Sequence, residues 1–258
     1  MLGWNSWWRC RLLRSQVLSE ADWRDVVAAL PLLQGFREED LAALRELTIL
    51  FLKRKSFEPA GGLVLDPAMK LRIAVEASLP ILKLGFEYYR GWFSVIVYPD
   101  SFLVDGQYAD EAGVVHAERE WRAGEAWERG PLILSWADIV AANGEAGNVV
   151  IHECAHKLDM LDGAANGLPP LHPGMNVAEW ARVFTAAYSD LCWRVDAGLD
   201  TITPYASNSP AEFFAVASET FFGMPSLLKS AYPEVYEQLR AFYRQDPAVR
   251  LINGLSPP

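Results

Sequence analysis

The sequence predicts an α+β fold, with a helical N-terminal part, a small mid-chain sheet and a helical C-terminal half. Three observations carry this. Apolar residues recur at helical spacing up to about residue 90, β-branched and aromatic runs cluster between Phe93 and Ser135, and helical spacing returns after Ile139. Helices first, short strands next and helices last do not make the strand–helix alternation of a doubly wound sheet.

Each element has a local reason. Ser19 is a good N-cap for a helix over Glu20 to Leu30, which Pro31 ends. Leu41, Leu44, Leu47 and Leu52 give Glu38 to Lys53 an apolar helical stripe. Asp66-Pro67 opens a third helix towards Leu79, with Pro at an early helical position and Leu71, Val75 and Leu79 on one face. Phe93 to Tyr98 reads as a strand, broken by Pro99-Asp100 and continued by Phe102 to Val104. Gly113 to Glu118 and Pro131 to Ser135 are further short strands. Helices follow over Val149 to Leu161, Val177 to Val195, Pro210 to Phe222 and Pro233 to Tyr243, with a Gly/Pro-rich loop from Gly163 to Gly174.

A chain of 258 residues, 51% of them apolar and 22% charged, can bury a substantial core, which excludes disorder as its general state. The net charge of −10 argues against direct nucleic-acid binding, because attraction to phosphates needs a basic field. Cys10, Cys154 and Cys192 cannot all pair and fit no cysteine-type zinc site, so the expectation is a reduced, cytoplasmic protein. The N-terminus lacks the apolar stretch of a secretory signal, and no run approaches the length of a transmembrane segment. Trp4, Trp7 and Trp8 with Arg9, Arg11 and Arg14 read as a tail packed on the body, and Lys53, Arg54 and Lys55 as a solvated helix end.

The segment that carries chemistry is Gly147 to His156. Asn148 can cap a helix that bears His152 and His156 at i and i+4, on one face and about 5–6 Å apart. Two neutral imidazoles so placed can share a Zn²⁺ ion, and Glu153 projects beside that face. A zinc-bound water has a pKa of roughly 7, so a neighbouring carboxylate can take its proton at neutral pH. Val149, Val150, Ile151, Ala155 and Leu158 make the helix apolar, and histidines inside such a helix need partners. Cys154 reads as core.

A catalytic zinc needs a third protein ligand. His116, His172, Asp159, Asp162 and several glutamates qualify by type. The strongest is Glu212, on the apolar helix that starts at Pro210, although Ser209-Pro-Ala-Glu212 is also a capping box. Glu219, two turns on, presents a similar face and stays open as the alternative. Asp159 and Glu219 could instead orient the ligand histidines, since zinc-bound imidazoles usually hydrogen-bond through their other nitrogen. His116 reads as structural and His172 carries no assigned role.

His152–Asp159 (HECAHKLD), Ser209–Glu219 (SPAEFFAVASE) and Val97–Asp105 (VYPDSFLVD), together with GPLILSWADI and FYRQDPAVRL, resemble the Mlc titration factor A family of zinc metallopeptidases over nearly the whole chain. The resemblance implies a gluzincin-like active site with one Zn²⁺ ion held by His152, His156 and Glu212, and Glu153 as general base. The family's site is similar to that of the anthrax lethal factor protease. By that likeness Tyr205, seven residues before Glu212, donates a hydrogen bond to the oxyanion. The implied substrate is a peptide or protein, with aminopeptidase and endopeptidase action both open. Pro131–Ser135 could align it as an extended strand. The implied organisation is a helical region over residues 1–91 and a zinc metallopeptidase domain over residues 92–258. The family's name implies an alternative role, binding and sequestering a glucose-linked transcriptional repressor by protein contact, with peptidase activity secondary.

Overall fold

The computed structural model describes residues 18–109, 115–127, 130–142, 147–199 and 201–255. Its architecture is the α+β one that the sequence predicts. The N-terminal helices are α1 (Glu20–Ala29), α2 (Glu38–Arg54) and α3 (Pro67–Ser78), with strand β1 (Ser56–Pro59) between the last two. Strands β2 (Ser94–Tyr98), β3 (Phe102–Ala109), β4 (Val115–Arg122), β5 (Gly124–Ala126) and β6 (Leu132–Ser135) follow. The C-terminal helices are α4 (Trp136–Ala141), α5 (Val149–Asp159), α6 (Val177–Asp196), α7 (Pro210–Gly223), α8 (Pro225–Ala231), α9 (Pro233–Tyr243) and α10 (Pro247–Leu255).

Helix starts follow local chemistry. The first backbone N–H groups of a helix have no partner inside it, and a polar side chain at the N-cap satisfies one of them. Ser19 accepts from Asp22 N at 3.0 Å, Asp66 from Met69 N at 2.8 Å, Asn148 from Ile151 N at 2.9 Å and Ser209 from Glu212 N at 3.1 Å. Pro occupies the first turn of α3, α7, α8 and α9, where its missing N–H costs nothing.

The main sheet runs β1-β2-β6-β5. β1, β2 and β6 are parallel, and β5 lies antiparallel to β6 at the edge. β3 and β4 form a separate antiparallel hairpin, inserted in sequence between β2 and β5. The sequence anticipates β2 and β6, but not β1 or β5. β6 has both edges taken, by β2 and β5, so Pro131–Ser135 cannot receive an extended peptide. Among the described residues, the strand with an unpaired edge beside α5 is β5.

One core joins helices and sheet. α5 packs against β5, β6, α3 and α7. All eleven of its residues are buried. Phe213, Phe214, Phe221 and Phe222 of α7 meet Trp180 and Phe184 of α6 and Tyr236, Phe242 and Tyr243 of α9 in a run of edge-on and tilted rings. Each such side chain, once buried, contributes about 1.5–3 kcal/mol, so the aromatic cluster holds α7 in place.

Lys55 departs from its sequence reading. It is buried, and its ammonium donates to the carbonyls of Tyr89 and Trp92, each at 2.6 Å, while lying 3.5 Å from the Trp92 ring centroid. Two carbonyls and an aromatic face replace the water that its position at a helix end led us to expect. Trp4, Trp7, Trp8, Cys10, Arg9, Arg11 and Arg14 lie outside the described residues.

Candidate metal centre

α5 presents His152 and His156 one turn apart, with their Nε2 atoms 3.1 Å from each other and their ring planes at 77°. From α7, Glu212 reaches into the same space. Its Oε2 lies 3.0 Å from His152 Nε2 and its Oε1 3.4 Å from His156 Nε2. One ligand atom from each of the three residues falls within a mutual distance of 4.8 Å. Two lone-pair nitrogens and a carboxylate pointed at a common point form the donor set that a divalent cation such as zinc takes. The residues present therefore fit the metal.

Ser209 still caps α7 through the Glu212 amide, so the cap and the metal-facing carboxylate coexist at one residue. Glu219 approaches His152 from the other side of the ring. Its Oε1 lies 2.5 Å from Nδ1. The alternatives that the sequence leaves open thus separate in space, with Glu212 at Nε2 and Glu219 at Nδ1.

Asp159 does something different. Its Oδ2 accepts from the backbone N–H groups of Asn166 at 2.9 Å and Gly167 at 2.7 Å, while Oδ1 has no partner among the described residues. Nδ1 of His156 is likewise without a partner among them. Gly167 has φ +81°, and its carbonyl accepts from Trp180 Nε1 at 2.9 Å. A Cβ there would lie 2.6 Å from the carbonyl oxygen of Pro210. Asp159 therefore fixes a loop that abuts the start of α7, two residues before Glu212.

Glu153 is buried beside the two imidazoles, and its Oε2 has no partner among the described residues. Burial raises its pKa against the opposing pull of the histidines. For His152, burial disfavours the charge, but the hydrogen bonds with Glu212 and Glu219 outweigh it and hold the pKa well above the usual histidine value. Burial would also raise Glu212, yet the two imidazoles hold its carboxyl far below the carboxylate range. These are the electrostatics of a cluster ready to exchange a proton for a metal cation.

Tyr205 sits in the short helical turn Pro204–Ser207, half exposed, with its ring centroid 6.0 Å from that of His152. The Tyr188 hydroxyl donates to Ser207 O at 2.9 Å and anchors the turn. Cys154 is buried away from the site, its thiol pushed up to about 12. His172 joins Tyr88 at 3.2 Å and the Phe242 carbonyl at 2.7 Å, and so ties loop to core. His116 falls on β4, opposite Tyr108.

One buried acid was not apparent from the sequence. Glu76 of α3 lies under the N-terminus of α5, where it meets Arg72 Nε at 3.4 Å and the side chain of Asn148. Burial pushes its carboxyl up to about 7. Its position in an otherwise helical apolar stripe was the sole signal.

Residues 4–244 match the family described as the glucose-regulated metallo-peptidase M90. A protein of Yersinia enterocolitica named Mlc titration factor A is 38% identical over 249 residues, covering 95% of this chain and 92% of that protein. Proteins of the same name from Yersinia pestis and Yersinia pseudotuberculosis are 37% identical, covering 95% of this chain and 91% of theirs. No helix among the described residues is long and apolar enough to cross a membrane. On the extent of these matches, the chain belongs to the glucose-regulated metallo-peptidase M90 family.

Proposed function

We propose that the protein is a zinc-dependent peptidase that hydrolyses peptide bonds with Glu153 as general base. The observation that carries this is the convergence of His152, His156 and Glu212 on one point with Glu153 buried beside it. His152, His156 and Glu212 would hold a single Zn²⁺ ion. When bound, the ion supplies Lewis acidity, polarising a carbonyl and acidifying water.

The chain's own residues supply the rest. Glu153, with one free carboxylate oxygen, accepts a proton from the attacking water and passes it to the leaving amine. Glu219 holds His152 in the tautomer that presents Nε2 to the metal. Tyr205, exposed enough to meet a substrate, donates a hydrogen bond to the oxyanion.

Metal analysis together with digestion of a peptide library tests the reading. Wild type should carry zinc and cleave, and Glu153→Gln should carry zinc and not cleave. Retained cleavage in the variant would sink the mechanism. A terminal-only cleavage pattern would mark an aminopeptidase or carboxypeptidase, and internal cuts an endopeptidase.

The relatives' name supports a second role, capture of a transcriptional repressor by protein contact. If capture is separate from hydrolysis, Glu153→Gln should still pull down an Mlc-type repressor. Loss of capture in that variant contradicts the separation.

A further inference from the structure

Gly124 opens β5, the edge strand beside α5. A Cβ built on it would lie 2.5 Å from Glu153 Oε1, 2.6 Å from Glu153 Cγ and 2.7 Å from Val149 Cγ2. These are distances that side chains do not tolerate. Gly124 is not among the glycines with positive φ, so its backbone is one that any residue adopts. What the position needs is empty space. β-Bulges and tight turns usually explain a glycine in a strand, and close approach of another group is the remaining reason.

We propose that Gly124 is the positioning residue for Glu153, its missing side chain forming the seat against which the glutamate lies. Glu153 Oε2 has no hydrogen-bond partner among the described residues, so packing rather than bonding defines where that carboxylate sits. The three nearest atoms that an alanine would crowd belong to Glu153 and Val149. Of the two, Oε1 is the free end of a flexible side chain, whereas Val149 belongs to the first turn of α5. An alanine at 124 is therefore expected to displace the Glu153 side chain first, and unchanged zinc content in the variant would show that His152, His156 and Glu212 keep their places. The role rests on Glu153 acting as the general base, and a displacement of about 1 Å at such a group can cost on the order of 100-fold in rate.

The test uses the full chain and the variants Gly124→Ala, Glu153→Ala and Gly124→Ala/Glu153→Ala. With a peptide library and zinc-loaded protein, Gly124→Ala should lower kcat by at least about tenfold, with KM within twofold and zinc content unchanged. A second readout needs neither substrate nor metal. In the metal-free protein, Gly124→Ala should lower Tm, and at least half of that loss should vanish when Glu153 is already Ala. A glycine required by the strand alone would cost the same Tm in both backgrounds, and that result overturns the proposal. So does an unchanged kcat in an active enzyme. Should wild type cleave nothing, the peptidase reading falls while the Tm cycle still decides whether Gly124 seats Glu153.

Discussion

Glu219 Oε1 and His152 Nδ1 lie 2.5 Å apart, so Nε2 is the nitrogen left to face Glu212 and His156. In the proposed assignment Glu212 binds the metal and Glu219 aligns a ligand. Glu219→Ala should then weaken zinc affinity by about 10–100-fold, and Glu212→Ala should weaken it further. Competition against a chromophoric chelator measures both. A larger loss from Glu219→Ala would reverse the two roles.

The Tyr205 hydroxyl offers a second separation of binding from chemistry. Tyr205→Phe removes one hydrogen-bond donor and leaves the ring beside His152. We expect kcat to fall by roughly 10²–10³ with zinc content intact, as read by steady-state kinetics on a cleaved library peptide. An unchanged kcat removes Tyr205 from the reaction.

Much of this was legible from the chain alone. Ser19, Asp66, Asn148 and Ser209 announce helix starts because a cap is a local interaction between residues two or three apart. His152, Glu153 and His156 stand out for the same reason, since one helix turn brings them together. The sequence ranks Glu212 first yet leaves Glu219 open, because the two share a helix face and differ only in which nitrogen of a distant ring they meet, 60 and 67 positions back in sequence. β1 escapes a sequence reading because Ser-Phe-Glu-Pro is only four residues long and contains a proline, and its strand form comes from pairing with β2. β5 has three residues and exists because β6 offers it an edge. Lys55 was misread because the carbonyls that hold it belong to residues more than thirty positions away.

Glu76 gives a pH dependence with a definite sign. Its folded pKa of about 7 lies above the usual 4.5, so the folded state holds an extra proton between those values. Stability from this group is therefore complete below about pH 4.5 and is lost as pH rises through 7. Glu76→Gln should gain on wild type across that window, by about 3 kcal/mol in full. Paired urea titrations at pH 5 and pH 8 measure it. An equal difference at both values would show that Glu76 does not titrate on unfolding.

The Asp159 loop should be sensitive to small changes. Asp159→Ala strips partners from two backbone N–H groups, at about 1–3 kcal/mol. Gly167→Ala forces a side chain into a left-handed backbone and against Pro210, at a cost of roughly 1–3 kcal/mol. Both should also weaken zinc affinity, because the loop sets where α7 begins. Normal affinity in a destabilised Gly167→Ala protein would confine the loop's role to folding.

All eleven residues of α5 are buried. A helix walled in on every side cannot drift in sequence to suit a new substrate, since each of its positions is also a structural one. A change in what such a site accepts is then expected on what surrounds it: the edge strand, the turn that carries Tyr205 and the loop beside the start of α7. The same confinement makes the helix a poor target for engineering and its rim a good one.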